Sequence, residues 1–175
     1  MSELERKITQ AVLVFPIYED RVLMAWKMRR IAQGFWNGYG GRIKKGETPL
    51  EAAVREPYEE GKITTSEARL RKVAIIDFIN VALDGSESVW RVHVFILRGW
   101  NGMPEPSEEM INPTWFWRNS LPLLDMAPAD RFWLPRVLRG RRFFAEAHLG
   151  DNQRRLIGKV VFKKVPKDKA LLFAV

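Results

Sequence analysis

Apolar residues in this chain fall into short runs bounded by turn-forming clusters. Residues 9–17 (TQAVLVFPI) and 21–27 (RVLMAWK) are rich in β-formers, and only Tyr18-Glu19-Asp20 separates them. They predict a hairpin or two adjacent strands. Residues 73–81 (VAIIDFINV) and 89–98 (VWRVHVFILR) predict two more, joined through Leu83-Asp84-Gly85-Ser86. Thr114-Trp115-Phe116-Trp117 predicts a short strand, and residues 142–149 and 156–163 a final pair around a turn at Gly150-Asp151-Asn152. Residues 31–41 and 101–106 read as loops. Phe132, Trp133, Val137 and Leu138 recur at helical spacing, so a helix is expected from Pro128 to about Gly140, with Pro135 forcing a bend or a late start.

The remaining helix carries its own start signal. Thr48 can cap it, Pro49 fits the first helical position, and Glu51 completes a capping box. If that helix runs on through Glu56, Glu59 and Glu60, these stand at i, i+3 and i+4 on one face. Three crowded carboxylates repel unless a cation sits among them, and an all-oxygen site suits Mg²⁺ or Mn²⁺. A solvated acidic stripe is the commoner fate of such a run. Here a glycine-rich turn (Gly38, Gly40, Gly41) precedes a capped helix, and that setting favours the metal. Strands and helices mix without regular βαβ alternation, so the class is α+β: a mixed sheet with helices on its faces.

With 175 residues, 46% hydrophobic and 29% charged, the expectation is one soluble domain spanning 1–175. The absence of cysteine excludes disulfides, zinc–thiolate sites and cysteine nucleophiles. The stretch MSELERKITQAVLVF lacks the features of a signal peptide, and no run reaches the length of a membrane span. A cytoplasmic, membrane-free protein is expected, monomeric by default. The net charge of +8 is concentrated late, in Arg131, Arg136, Arg139, Arg141 and Arg142 and then Arg154 to Lys164. A basic surface favours polyanions, including nucleotides and RNA, and is equally well read as a solubilising face.

The glycine turn and the capped helix together resemble the Nudix box, G-x5-E-x7-R-E-U-x-E-E-x-G-U with U bulky and apolar. Gly41, Glu47, Arg55, Glu56, Glu59, Glu60 and Ile63 fall on its register. Beyond the box, the chain is similar to the oxidised purine nucleoside triphosphatase (MutT-homologue, 8-oxo-dGTPase) branch of that family. The carriers of this likeness are Gly34-Phe35-Trp36-Asn37-Gly38-Tyr39-Gly40-Gly41, Val92-His93-Val94-Phe95, Glu108-Glu109-Met110, and the segment from Asp125 to Pro135. The resemblance implies a Nudix-type mixed sheet sandwiched between helices. It implies Mg²⁺ held by the Gly40 carbonyl, Glu56, Glu59, Glu60 and Glu109, with Glu56, Glu59 and Glu60 as the catalytic set. Lys27 would touch the phosphates, Asn37 and Asp130 the base, and Tyr39, Gly40, Gly41 and Trp133 would complete the substrate site. His93 reads as a structural histidine.

The implied reaction is hydrolysis of a modified purine (d)NTP to the monophosphate and pyrophosphate. Rival readings are a Nudix hydrolase on RNA 5′ ends, dinucleoside polyphosphates or ADP-ribose, and a nucleotide-binding protein with little turnover. Several positions depart from the pattern. Pro57 stands where the box has an apolar helix former, predicting a kink between Glu56 and Glu59. Lys62 stands where the box has glycine, and Gly61, one residue early, is the expected left-handed terminator. Ala127 and Ala129 replace the tryptophan and one of the two aspartates that the branch carries before its second helix. That puts the substrate in question more than the reaction.

Overall fold

A computed structural model describes residues 8–150 and 153–173 of the chain. Residues 1–7 of the amino-terminal stretch and Asp151-Asn152 of the expected turn lie outside it. In chain order the elements are β1 (Ile8–Tyr18), β2 (Arg21–Lys27), β3 (Trp36–Asn37), β4 (Tyr39–Arg42) and α1 (Pro49–Gly61). There follow β5 (Leu70–Val81), β6 (Glu87–Leu97), β7 (Met110–Trp117), α2 (Asp130–Leu138), β8 (Phe143–Gly150) and β9 (Arg155–Lys163).

β1 is the strand on which the others assemble. One edge takes β6 in parallel, from Ile8 opposite Val89 to Pro16 opposite Leu97. The other edge is shared: β4 pairs antiparallel with Ala11–Val14, and β2 with Ile17 and Tyr18. The path runs β3-β2-β1-β6-β5-β8-β9, with β4 added on β1 and β7 on β2. Only β1/β6 and β5/β8 are parallel among these pairs, which makes the sheet mixed, as expected.

Period-2 alternation in β1 sends Val12 and Val14 to one face and Leu13, Phe15 and Ile17 to the other. β2 and β6 do the same, with Leu23, Ala25, Phe95 and Leu97 on the first face and Val22, Met24, Val94 and Ile96 on the second. α1 covers the first face through Ala52 and Ala53, and α2 the second through Trp133, Leu134, Val137 and Leu138. The sandwich of helices around a mixed sheet is therefore present.

Three local expectations change. The stretch 31–41 is not wholly a loop, because β3 and β4 form inside it. Those strands are too short to stand out by composition, and pairing with β2 and β1 creates them. α2 starts before Pro135 rather than after it and carries that proline inside. Phe132, expected on its apolar face, is exposed, while Leu134 takes the buried place.

Candidate active site

α1 begins as its sequence dictates. The Thr48 hydroxyl accepts from the Glu51 backbone N–H (3.2 Å) and the Glu51 carboxylate accepts from the Thr48 N–H (2.7 Å). Pro57 does not interrupt α1, which is continuous from Pro49 to Gly61. Pro57 is buried, and the turn after it is closed by the N–H groups of Lys62 and Ile63, both donating to the Pro57 carbonyl. The left-handed residue is Lys62 (φ 58°), not Gly61, which stays helical. Gly61 is needed for another reason. A Cβ there would stand 2.6 Å from Cε1 of Tyr39.

Continuity of α1 lets its glutamates face the β4 backbone. Glu56 and Glu60 are buried, at 7% and 5% exposure. Glu60 accepts from the Gly40 N–H (2.8 Å) and from Lys27 Nζ (3.2 Å). Glu56 lies so close to β4 that a Cβ on Gly41 would come within 2.5 Å of its Oε1. Burial pushes the Glu60 carboxyl up to about 7 despite the Lys27 ammonium and the Gly40 N–H, and burial raises Glu56 as well. Lys27 is itself buried, and its ammonium also reaches Glu109 (3.3 Å), whose loop is tied to the end of β2 by Met28 N–H donating to the Glu109 carbonyl.

Arg55 organises the outer half of the cluster. It donates to both oxygens of Glu47 (2.6 and 2.8 Å), to Glu56 (2.6 Å), to Glu59 (2.8 Å) and to the Arg42 carbonyl. Its hydrogen bonds, opposed by a smaller burial effect, hold the Glu47 carboxyl down to about 2. Burial works upward on Glu59, but hydrogen bonds from Lys44 and Arg55 together bring it below the usual carboxylate range. Lys44, 3.1 Å from Glu59, was not foreseen, and nothing in the sequence separates it from Lys45.

Gly40, Gly41, Glu56, Glu59, Glu60, Glu109 and Lys27 are thus brought together. Among the described residues, no three Asp, Glu or His side chains converge as a ready-made metal-binding group. Cations stand between them: Arg55 between Glu56 and Glu59, Lys27 between Glu60 and Glu109.

The remaining predicted residues lie on the α2 side. Asn37, opposite Ala25 in the β2–β3 pair, accepts the Gly38 N–H on Oδ1 (2.8 Å). A bridge from Trp36 to Met126 brings the approach to α2 alongside β3. Asp130 is buried and accepts from Trp133 Nε1 (2.8 Å), and burial, outweighing that bond, lifts its carboxyl to about 7. Two expected substrate contacts are placed otherwise. Trp133 is fully enclosed, edge-on to Phe15, so it holds Asp130 rather than facing a ligand. Tyr39 is also fully enclosed, under Gly61, because α1 closes over it. His93 Nε2 meets Gln10 Oε1 at 2.8 Å, while its Nδ1 is buried without a hydrogen-bond partner, and burial with nearby Lys72 and Arg91 lowers its pKa to about 4.

Residues 7–137 match the NUDIX domain, and the chain belongs to the Nudix family. Within it, the chain is 37% identical over 131 residues to the oxidized purine nucleoside triphosphate hydrolase of Mus musculus, spanning 75% of this chain and 80% of that one. It is 36% identical to the protein of the same name from Danio rerio, over the same shares. A crystal structure of a MutT protein from Bacillus halodurans superposes with a TM-score of 0.75, at 23% identity, covering 89% of this chain and 97% of that one. The last likeness concerns the fold.

Proposed function

We propose that this chain is a Mg²⁺-dependent nucleoside triphosphate pyrophosphohydrolase acting on oxidised purine nucleotides such as 8-oxo-dGTP, releasing the monophosphate and pyrophosphate. The carrying observation is a buried pair, Glu56 and Glu60, set against a glycine turn and a buried lysine, in a chain whose relatives are named for that activity. The donor chemistry suits a hard divalent cation, and Arg55 and Lys27, which stand between the carboxylates, would give way to it. The donor set is all oxygen, and burial penalises the charge on Glu56 and Glu60, a penalty a cation removes. Glu56, Glu59, Glu60, Glu109 and the Gly40 carbonyl would hold Mg²⁺, with Mn²⁺ as the alternative. When bound, the ion neutralises phosphate oxygens and makes the attacking water more acidic.

The chain's own groups do the rest. Glu56 or Glu59 orients or deprotonates the water, and Glu60, anchored to Gly40, acts as a ligand. Lys27 is positioned by Glu60 and Glu109 and turns to the phosphates. Asn37, its carbonyl oxygen already engaged by Gly38, presents N–H donors to the base. Asp130, its carboxyl lifted by burial to about 7, is partly protonated near neutral pH and in that form adds a second donor. Ala127 and Ala129 give the base no aromatic face, which forgoes ~1–3 kcal/mol of stacking. Discrimination between oxidised and normal purines is accordingly weaker than a stacked site would give.

Pyrophosphate release from 8-oxo-dGTP, dGTP and dATP with Mg²⁺ is the test, with Glu60→Gln expected to lose ~100-fold or more. Cleavage of ADP-ribose to AMP and ribose 5-phosphate, or pyrophosphate release from RNA 5′ triphosphate ends, with none from these nucleotides, or no cleavage of any of them, would overturn the assignment.

A further inference from the structure

A cavity of about 570 Å³ opens at the opposite end of the sheet from the glutamates. β7 measures the separation. Glu109 precedes its first residue at the catalytic end, and Arg118 follows its last at the cavity, roughly 25 Å of strand later. The floor is apolar and buried: Ile17, Val73, Ile96, Val137 and Leu138. Around it stand five arginines, Arg71, Arg98, Arg118, Arg139 and Arg142, and no carboxylate lines it.

The fold brings these charges together from distant parts of the chain. Arg71 and Ile96 are partners in the β5–β6 pair, and Arg98 follows β6 at the same end. α2 stops at Leu138, and Gly140, at φ +81°, turns the chain so that Arg139 and Arg142 flank its last turn. Arg118 is paired with Asp20 (2.6 Å). Among the described residues, the other four arginines have no carboxylate within ion-pairing distance. Like charges gathered around one concavity repel one another unless an anion joins them. Guanidinium forks favour phosphate oxygens, bidentately.

We infer that this cavity is a second ligand site for an organic oligophosphate, its planar or apolar part on the Ile17–Leu138 floor and its phosphoryl groups on the arginine rim. The volume suits one nucleotide-sized molecule. An apolar floor under the charges separates this from a plain polyanion track, which needs only a charged surface. The reading does not depend on the chemistry proposed for the glutamates.

The test uses the whole protein in EDTA, titrated with α,β-methylene-dATP and followed by methyl NMR and calorimetry. Expected are shifts of the Ile17, Val73, Ile96, Val137 and Leu138 methyls, and affinity at least tenfold weaker in Arg98→Glu/Arg142→Glu. Inorganic tripolyphosphate is expected to bind at least tenfold more weakly than the nucleotide. Because both arginines are exposed, the variant should retain wild-type pyrophosphate release. A variant affinity within twofold of wild type, or floor methyls that do not move, overturns the site. Equal affinity for tripolyphosphate removes the role of the floor. A ten-nucleotide single strand binding tenfold tighter than the nucleotide replaces the proposal with a nucleic-acid surface. Failure of both proteins to release pyrophosphate would count against the active-site reading alone.

Discussion

α1 and α2 flank the same sheet, and each carries a proline in its interior, but different forces hold them. α1 is capped at its start by a complete capping box and is ringed by ion pairs through Arg55, Lys27 and Lys44. α2 has no side-chain cap at Ala129 and is held by the burial of Trp133, Leu134, Val137 and Leu138. The contrast separates two jobs. Burying Glu56 and Glu60 is unfavourable for folding and is offset in part by Arg55, Lys27 and the Gly40 N–H, whereas α2 supplies apolar burial with one polar exception, Asp130. In each helix the proline's own carbonyl is used to close the end, accepting from Lys62 and Ile63 after α1 and from Arg139 after α2.

Breaking each helix at its own anchor should expose that difference. Trp133→Ala removes the largest fully buried side chain of the α2 face and should cost ~3–5 kcal/mol in chemical denaturation. Arg55→Ala leaves Glu47, Glu56 and Glu59 without their shared donor and should cost ~2–3 kcal/mol. The two should respond differently to salt. Raising ionic strength narrows the gap between wild type and Arg55→Ala, since part of that network meets solvent, and leaves the Trp133→Ala gap unchanged. Equal salt responses would erase the distinction drawn between the helices.

Asp130 allows a sharper comparison, because it is the polar exception on the apolar side. Its carboxyl is raised from 3.8 unfolded to about 7 folded. The folded state therefore binds the proton more tightly. Its contribution is full below pH ~4 and is lost as pH rises to about 7, on the order of a few kcal/mol. His93 opposes it over the lower part of that range: lowered from 6.5 to about 4, it favours folding above 6.5 and loses that contribution as pH falls. The wild type minus Asp130→Asn difference in unfolding free energy cancels His93. It should fall steadily between pH 4 and 7, and a flat difference would place Asp130 in an aqueous setting.

The sequence carried α1 well because its signals are local. Thr48, Pro49 and Glu51 specify a start within four residues, and the glutamate spacing follows from helical geometry alone. The main strands and the α+β class were legible through runs of β-formers. β3 and β4 were not, since four residues such as Tyr39-Gly40-Gly41-Arg42 become a strand only through β1. Trp133 and Tyr39 could be placed near the site by resemblance, but only packing decides whether a ring faces a ligand or the core. Nothing in the sequence joins Arg71, Arg98 and Arg118 to Arg142, because the topology that collects them is invisible in one dimension.

The smallest effects concern the end of α1, where glycine sits in the helix and lysine takes the left-handed position after it. Gly61 is helical, so Gly61→Ala would ordinarily gain ~1 kcal/mol from helix propensity. The new Cβ, however, would stand 2.6 Å from Tyr39, a ring that is fully enclosed and cannot retreat. The substitution should therefore destabilise by ~1–3 kcal/mol, the range for overpacking. Lys62, at φ 58°, pays the penalty of a side chain in the left-handed region, and its ammonium lies 4.9 Å from the Tyr58 ring centroid. Lys62→Gly relieves the first and loses the second, for a net gain of ~0.5 kcal/mol. Thermal unfolding of the two single variants should move in opposite directions. If Gly61→Ala stabilises instead, the close approach of Tyr39 is not what keeps glycine there.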